Sequence, residues 1–535
     1  MSSPAAAPSL ARGAATVTLA TALSRLTGFV RVVVVAATMG TTYLANTYQT
    51  ANTAPNVVFE LLAAGVLTSV FVPTFVQYLI GDRRDEGWSA ANALGSVALV
   101  GLIGLSVLLA LLAPAVMTVL TLGVKDAGLR EAEVELGTRL LRLFSPQIAL
   151  YGLGMIMTAA LHAHRRFFLA AVAPIFNNVV VIGVYLTYGA MRGDGPPSVR
   201  GISPEEVLVL GLGTTLGVLA MTMSLAPQLF RLGWRIRWSF DLRHEAVRRG
   251  ARVGAWALGY AGGYQAGLIV VLLLANRIKG GVAAYQWAFT FFYMPHALFA
   301  VPIFNVLFTV MSEHAARSEQ ADLVERMRDG LRMLAFILVP IAAALLVTAD
   351  VLARVTLEYG VMSGAGTQLV GRVLASFAVG LPAYSAFLVL TRAFYALGDA
   401  RTPALVNAAT VAVASAVGAV AFLTMRPGWK VPGLALGHSI AFAIGTVLLG
   451  RIFARRAGAV GGTKLNAAVT RLVIATFLSL AAMLVVETAI PDATKQAALM
   501  DLLGTAIAGG AVYLFAQARM KSPELKRLRA LARGR

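Results

Sequence analysis

The chain has 535 residues, of which 58% are hydrophobic and 13% are charged. A soluble domain carries about 25% charged residues, so this composition excludes water as the main solvent of the fold. The formal net charge of +20 is spread over loops and the tail at 521–535, which argues against a nucleic-acid-binding patch. The chain has no cysteine, which excludes disulfides and thiolate metal sites.

Apolar runs long enough to cross a bilayer recur along the chain and are separated by turn residues and charges. About 20 residues of helix span the hydrocarbon core, where irregular backbone is not tolerated. We therefore predict an all-α polytopic membrane protein of about fourteen transmembrane helices. In chain order, the predicted spans are 14–40, 43–80, 88–120, 134–163, 167–191, 205–230, 248–276, 281–314, 331–358, 366–396, 402–424, 431–455, 466–489 and 496–518.

The first apolar run follows a short polar segment and is too long for the core of a cleaved signal peptide, so we expect it to be retained. An even number of helices places both ends of the chain on the same side. Lysine and arginine are concentrated in the loops on that side, as the positive-inside rule requires of cytoplasmic loops. We therefore predict cytoplasmic termini, with basic segments that attract anionic membrane lipids.

Two short motifs occur once in each half of the chain. Tyr-Gln-x-Ala followed by a proline is found at 48–55 and 285–295, and Pro-x-x-x-Asn at 174–178 and 403–407. An even number of helices separates each pair, which predicts a parallel repeat of two six-helix lobes, an arrangement typical of transporters. The predicted divisions are an N-terminus at 1–13, an N-lobe at 14–230, a basic cytoplasmic linker at 231–247, a C-lobe at 248–455, helices 13 and 14 at 456–518, and a basic tail at 519–535.

Two arginines, Arg25 and Arg31, lie within the apolar first helix. A mid-bilayer arginine costs at least about 2.5 to 3.5 kcal/mol, so it is expected to face water or an anion rather than lipid. Its planar guanidinium binds phosphate through two parallel hydrogen bonds. The pair therefore predicts an anion site. The alternative for Arg25 is a position at the cytoplasmic interface, paired with a lipid headgroup.

The second helix carries a further buried charge, Glu60. We interpret it as an ion-pair partner of a first-helix arginine or as a ligand of a coupling cation. Pro55, between Asn52 and Asn56, predicts a kink that frees carbonyl groups toward a cavity, and simple packing around the proline is the alternative.

The remaining polar residues predict neither a catalytic site nor a metal site. His162 and His164 lie beside arginines at a helix end, so we expect loop residues rather than metal ligands. No phosphate-binding loop is present, and coupling to the membrane potential or to a cation is expected instead of a nucleotide cofactor. A membrane enzyme would need an external catalytic pair, whereas the spacing of the external acidic residues predicts a solvated amphipathic helix: Asp126, Glu131, Glu133 and Glu135.

Residues 24–31, Ser-Arg-Leu-Thr-Gly-Phe-Val-Arg, resemble the first-helix signature of the MurJ (MviN) family of lipid II flippases. Residues 55–73, 173–178 and 392–403 resemble the second helix, the fifth helix and the tenth-to-eleventh loop of that family. The resemblance covers both halves of the chain. It implies the multidrug/oligosaccharidyl-lipid/polysaccharide exporter fold, with a cationic cavity between two lobes and a groove for a polyprenyl tail at the last two helices.

The resemblance implies a non-enzymatic transporter of the bacterial cytoplasmic (inner) membrane that moves lipid II to the outer leaflet by alternating access. Its expected partners are an undecaprenyl-linked anionic substrate, anionic lipids and cell-wall synthesis proteins. Together with the charge pattern, it indicates hinges at Gly28, Pro55 and Pro295. The expected substrate-binding positions are Arg25, Arg31, Asn46, Asn52, Asn56 and Thr290.

This chain departs from the charged residues of the family at five positions: Val32, Asn46, Phe59, Ala64 and Thr290. One interpretation is a divergent branch in which Arg25 and Arg31, with Arg277 or Lys279, suffice. Another is a paralogue that moves a different polyprenyl-linked saccharide. A cation-coupled drug exporter, which would need acidic cavity residues, and a non-transporting scaffold of cell-wall synthesis are further alternatives.

Overall fold

A computed structural model describes residues 7–62, 84–234, 238–239, 262, 265–457, 463–490 and 494–532. These residues are mostly helical and contain no β-strand, which confirms the predicted all-α class. The chain divides into two compact units, Met1–Val282 and Ala283–Arg535. The predicted linker at 231–247 lies largely outside the described residues, and the predicted lobe boundaries stay predictions.

Eight helices are described before the division: α1 Ala7–Met39, α2 Tyr43–Leu62, α3 Arg84–Leu120, α4 Ala127–Phe144, α5 Gln147–Ala163, α6 Phe167–Arg192, α7 Pro204–Arg231 and α8 Gln265–Ala275. Helix α9, Gly281–Pro295, crosses the division, and a π-helical turn at His296–Ala300 follows it. The remaining helices are α10 Val301–Ala316, α11 Gln320–Leu357, α12 Gly364–Ala378, α13 Leu381–Ala396, α14 Arg401–Thr424, α15 Lys430–Ala457, α16 Thr463–Ala489, α17 Lys495–Arg519 and α18 Pro523–Ala532.

Within the described ranges, eleven helices are long and apolar enough to cross a membrane, and the bent pair α12–α13 raises the number to twelve. A helix occupies part of every predicted span. The spans at 43–80 and 248–276 lie partly outside the described residues, so the count of fourteen stays a prediction.

Helix ends differ from the predictions where charged residues extend a helix beyond the apolar core. Helix α4 begins at Ala127 rather than 134, because the Asp126 carboxylate accepts a hydrogen bond of 2.6 Å from the backbone N–H of Leu129. Helix α11 begins at Gln320 rather than 331, and its first turns carry charged residues. Hydropathy marks only the apolar part of these helices, whereas their polar first turns extend beyond it.

Small residues allow close helix pairs in both units. A Cβ on Gly217 of α7 would lie 2.5 Å from the side-chain oxygen of Asn177 in α6. A Cβ on Gly437 of α15 would lie 2.7 Å from the Cα of Gly418 in α14. Since membrane helices associate through close packing, these glycines position the helices that carry the polar side chains.

The predicted basic tail contains the short helix α18, which packs on α11 and α17. Arg332 of α11 donates a hydrogen bond of 2.9 Å to Glu524, and Arg527 lies 2.9 Å from Asp329. Leu525 is buried in a cluster with Phe336, Tyr513 and other apolar side chains of this unit. The tail is basic, as predicted. It is also attached to this unit through the carboxylate of Glu524 and the buried side chain of Leu525.

Candidate functional site

The two arginines of α1 lie away from the exposed apolar side of that helix. At 3.6 residues per turn, Arg25 and Arg31 lie about 120° to either side of this stripe and about 9 Å apart along the axis. Arg25 is exposed and Arg31 is half-buried. The guanidinium groups therefore occupy different faces of α1. The stripe consists of Leu19, Leu23, Leu26 and Val30.

Arg31 lies near a buried cluster of hydroxyl groups. The Tyr48 hydroxyl is 2.7 Å from that of Thr214 and 3.1 Å from that of Tyr185. The charge of Arg31 acts on both phenols. The two phenols are neutral hydroxyl groups, so they do not neutralise the charge of the half-buried guanidinium.

Asn178 of α6 joins two motifs that are far apart in sequence. Its side-chain amide donates to the backbone carbonyl of Ser24 at 3.2 Å and to the hydroxyl of Thr27 at 3.0 Å. A Cβ on Gly28 would lie 3.5 Å from the same amide, in ordinary contact. The first-helix signature and the Pro-x-x-x-Asn motif thus form one contact that orients the arginine-bearing face of α1. Helix α1 is continuous at Gly28, where a hinge stays a prediction.

Asn46 is fully buried and bonds to the segment after α8. Its Nδ2 donates to the carbonyl of Ile278 at 2.9 Å, and its Oδ1 accepts from the N–H of Val282 at 3.0 Å. Both ends of the amide therefore hold the chain that leads into α9. The predicted substrate contact of Asn46 would have to replace these bonds.

The polar residues around Pro55 lie within a continuous α2. The Asn56 amide donates to the carbonyl of Asn52 at 2.8 Å, and the Oδ1 of Asn52 is buried without a hydrogen-bond partner. Glu60 accepts a hydrogen bond from Gln265 of α8. The predicted burial of Glu60 is wrong, since its side chain is exposed near the end of the described part of α2. The contact shown is with an amide, and the predicted ion-pair or cation role stays a prediction.

Thr290 and Pro295 both belong to α9. The Thr290 hydroxyl donates to the carbonyl of Gln286 at 3.1 Å. The π-helical turn begins directly after Pro295 and ends where α10 starts at Val301. A π-turn inside a long helix often accompanies function. The helix geometry therefore changes at the predicted hinge, although the hinge motion itself stays a prediction.

Three of the family's charged positions are occupied by side chains with structural contacts. Val32 is buried, and the ring of Phe59 lies 5.4 Å from that of Tyr151. Asn46 holds the backbone after α8, and Ala64 lies outside the described residues. The sequence suggested Arg277 or Lys279 as substitutes, but both follow α8 and lie at loops between helices. There the Arg277 side chain lies against Gly123, and Lys279 lines a pocket with Thr42.

The second unit contains a largely apolar pocket of about 340 Å³ between α11, α13, α15, α16, α17 and α18. Its walls include Phe336, Leu390, Val469 and Leu472. Arg332, Gln517 and Glu524 form its polar part. A pocket with apolar walls and a charged end can bind an amphiphilic molecule, whose apolar part contacts the walls and whose polar part contacts the charged end.

The acidic segment at the start of α4 differs from its prediction. Glu131 and Glu135 are exposed, as expected of a solvated helix, but Glu133 has no exposed surface. Its carboxylate accepts a hydrogen bond of 3.0 Å from Asn276. The solvated interpretation is wrong for Glu133, because α4 buries this face against its neighbours. Glu133 is two residues from each exposed glutamate, and residues two apart do not lie on the same helical face. This spacing is the sequence pattern that could have predicted its burial.

In the described part of the chain, His314, Glu319 and Asp322 each place a ligand atom within 4.8 Å of the others. His314 Nδ1 already lies 2.7 Å from the Glu319 carboxylate. A hydrogen bond between His314 and Glu319 at a helix end therefore explains why these side chains lie together. We assign no metal to the cluster, and the expected absence of a metal site stays a prediction.

The two helical units have a fold known from transporters. A solved inward-facing multidrug resistance MATE family transporter of the MOP superfamily matches with a TM-score of 0.65 and 14% identity, covering 84% of this chain and 96% of that one. The chain therefore shares the all-helical, polytopic fold of that structure.

More specific matches define the family. The family model described as "Lipid II flippase MurJ" matches residues 35–499. A Rhizobium tropici protein named "Probable lipid II flippase MurJ" is 28% identical, over 82% of this chain and 80% of its own length. The solved structure "Lipid II flippase MurJ, inward closed conformation" has a TM-score of 0.74 and 19% identity, covering 94% and 98% of the two chains. The chain belongs to the MurJ family of lipid II flippases, which confirms the resemblance seen in the sequence.

Proposed function

We propose that this protein translocates lipid II, the lipid-linked peptidoglycan precursor, from the inner to the outer leaflet of the bacterial cytoplasmic membrane. The family match from residue 35 to residue 499 carries this proposal, because it includes most of both units. The protein acts as a transporter rather than as an enzyme, and both termini are cytoplasmic. Anionic lipids and cell-wall synthesis proteins are its further partners.

The headgroup diphosphate meets the arginines of α1 in succession. In this topology Arg25 is nearer the cytoplasm, and Arg31 is about 9 Å further into the membrane. Since the two side chains lie on different faces of α1, they act as consecutive anion contacts rather than as one clamp. Asn178 keeps both in place through its hydrogen bonds to Ser24 and Thr27.

The apolar pocket of the second unit receives part of the polyprenyl tail. Its walls are apolar, and α16, one of the last two membrane helices, contributes Ala468, Val469 and Leu472. Arg332 and Gln517 lie at its polar part, where they suit the more polar end of a lipid.

Membrane potential supplies the driving force. Outward movement of negative charge is favoured by about 2.3 kcal/mol per charge per 100 mV when the cell interior is negative. The rocking of the two units completes an alternating-access cycle without a nucleotide. A drug exporter of the same fold would need acidic groups for cationic substrates, and the Glu60 contact with Gln265 gives that alternative little support.

Complementation tests the function. The parent chain is expected to restore growth and externally accessible lipid II in bacteria depleted of their own flippase, whereas Arg31→Ala is not. Loss of one charge-assisted contact of about 1.5 to 3 kcal/mol lowers transport by about tenfold or more. Arg31→Lys restores part of it by keeping the charge, and Arg166→Ala, which changes an exposed loop arginine, is the matched control.

Proteoliposomes separate the alternatives. Movement of another polyprenyl-linked saccharide, but not of lipid II, would identify the paralogue. If the well-expressed parent moves neither, and arginine variants behave as the parent does in cells, the protein is a scaffold and the proposal is wrong.

A further inference from the structure

Glu133 is a buried acid that the proposed transport cycle does not use. The residue has no exposed surface, and its Oε1 has no hydrogen-bond partner. Its other oxygen accepts from Asn276, which is itself 1% exposed. The Oδ1 of Asn276 is also without a partner. One neutral donor does not offset the desolvation of a full negative charge. The surroundings therefore favour the protonated, neutral form of the Glu133 carboxyl group.

A polar pocket of about 300 Å³ begins one helical turn away. Leu129 lines this pocket, and Glu133 follows it by four residues on the same face of α4. Tyr43 also lines the pocket and interacts electrostatically with both Glu133 and Asp126. The pocket therefore lies about one helical turn from the residue that carries the buried carboxyl group. The other lining residues include Thr42, Ser198, Arg200 and Lys279.

We propose that Glu133 and Asn276 form a proton-binding site that is reached from outside the cell through this pocket. The proposed topology, on which the side of access rests, places the loops that line the pocket outside. A proton from external water binds Glu133 and returns to the same water, so the site needs no further reactant. The amide of Asn276 can turn to accept the acidic O–H, since its oxygen and nitrogen differ little in shape.

A proton suits this pair better than a metal ion does. Hard cations such as calcium and magnesium take six or more oxygen ligands, whereas Glu133 and Asn276 present two unpartnered oxygens. Titratable and charged groups approach this end of α4 from the neighbouring elements. Tyr43 of α2, Asp126 before α4, Arg200 before α7 and Lys279 after α8 line the pocket, and Arg277 lies against Gly123.

Infrared difference spectroscopy of the purified, reconstituted parent tests the site without any transport measurement. Between about pH 5 and pH 9, a protonated carboxyl band is expected that Glu133→Gln abolishes. Glu131→Gln changes an exposed glutamate of the same helix and should leave the band unchanged. Asn276→Ala should shift the band, because it removes the hydrogen-bond partner. A band that survives Glu133→Gln would overturn the proposal.

Access is tested by a single cysteine in this cysteine-free chain. Leu129→Cys should react with a membrane-impermeant maleimide added outside intact cells about tenfold faster than Leu136→Cys, which lies deeper and is 4% exposed. Reaction from the cytoplasmic side alone would contradict access from outside. Both measurements stand even if lipid II is not the substrate.

Discussion

Tyr48 and Tyr285 occupy matching positions of the repeated Tyr-Gln-x-Ala motif, but their surroundings differ. The Tyr48 hydroxyl belongs to a hydrogen-bonded cluster with Tyr185 and Thr214. The Tyr285 ring lies edge-on to Phe377, with centroids 5.0 Å apart. The alanine three residues later is fully buried in both units. The repeat therefore preserves which residues point inward, while the chemistry they meet has diverged.

The difference extends to the residues around each tyrosine. In the second unit, Phe377 forms the centre of an aromatic cluster, with ring centroids within 5.5 Å of Tyr285, Phe289, Phe292 and His438. The first unit contains buried polar groups at Asn46, Tyr48 and Glu133. A common helical plan thus places Tyr285 beside aromatic rings and Tyr48 beside hydrogen-bonding side chains. The first unit also carries the arginines of α1.

The largest effect is expected from truncating the aromatic centre. Phe377→Ala should lower the free energy of unfolding by about 4 to 5 kcal/mol, since truncation of a buried phenylalanine costs about 3 to 5 and several ring contacts are lost. Phe144→Ala, which removes a fully buried ring 5.6 Å from Tyr48, is the control and should cost about 3 kcal/mol. Chemical unfolding in detergent measures both, and equal losses would contradict the contrast.

The next effect concerns the attachment of α18. Glu524→Gln weakens the contacts with Arg332 and Arg471, and should cost about 2 to 3 kcal/mol because these groups are only partly desolvated. Glu135→Gln, which changes an exposed pair with Arg139, should cost less than about 0.5 kcal/mol. Hydrogen exchange of α18 measures the local opening. If α18 were equally protected from exchange in Glu524→Gln and in Glu135→Gln, the buried side chain of Leu525 alone would hold the helix.

The same attachment predicts a pH dependence. Burial raises the pKa of Glu524, but hydrogen bonds from Ser522 and Arg332 outweigh burial and hold the pKa below its usual range. Because the native pKa is lowered, the stabilisation is complete above the unfolded value of about 4.3 and is lost as the pH falls through the native value. After correction for the intrinsic exchange rate, the protection of α18 should therefore fall only in acid, and Glu524→Gln should remove this dependence.

A smaller effect separates the repeated asparagines. Asn178→Ala leaves the polar groups of Ser24 and Thr27 without this donor and should cost about 1 to 2 kcal/mol. It should also reduce transport, because α1 loses an orienting contact. In the described part of the chain, the side chain of the corresponding Asn407 shows no hydrogen bond, so Asn407→Ala should be nearly neutral. A larger loss of stability or transport from Asn407→Ala would contradict this assignment.

Particular residues show how far sequence reasoning reached. The apolar runs predicted helices throughout, because hydrophobic length is a direct consequence of bilayer thickness. The first-helix signature predicted the family, and the family match confirmed it. Glu133 was misinterpreted, because solvation of an amphipathic helix depends on the neighbours of each face. Asn178 was recognised only as a repeated motif, since its bonds to Ser24 and Thr27 join residues that are distant in sequence.

The sequence by itself determined that the protein lies in a membrane, that it is all-helical and that it belongs to this family. It also identified the two arginines of α1 as candidate anion contacts. Each of these depends on local composition, spacing or a contiguous motif. Only the tertiary structure decided that Asn46 holds the segment after α8, that Glu60 meets Gln265 and that Glu133 is buried beside Asn276. These outcomes depend on contacts between distant segments. The free energy of a polar side chain is set by the partners that folding brings to it.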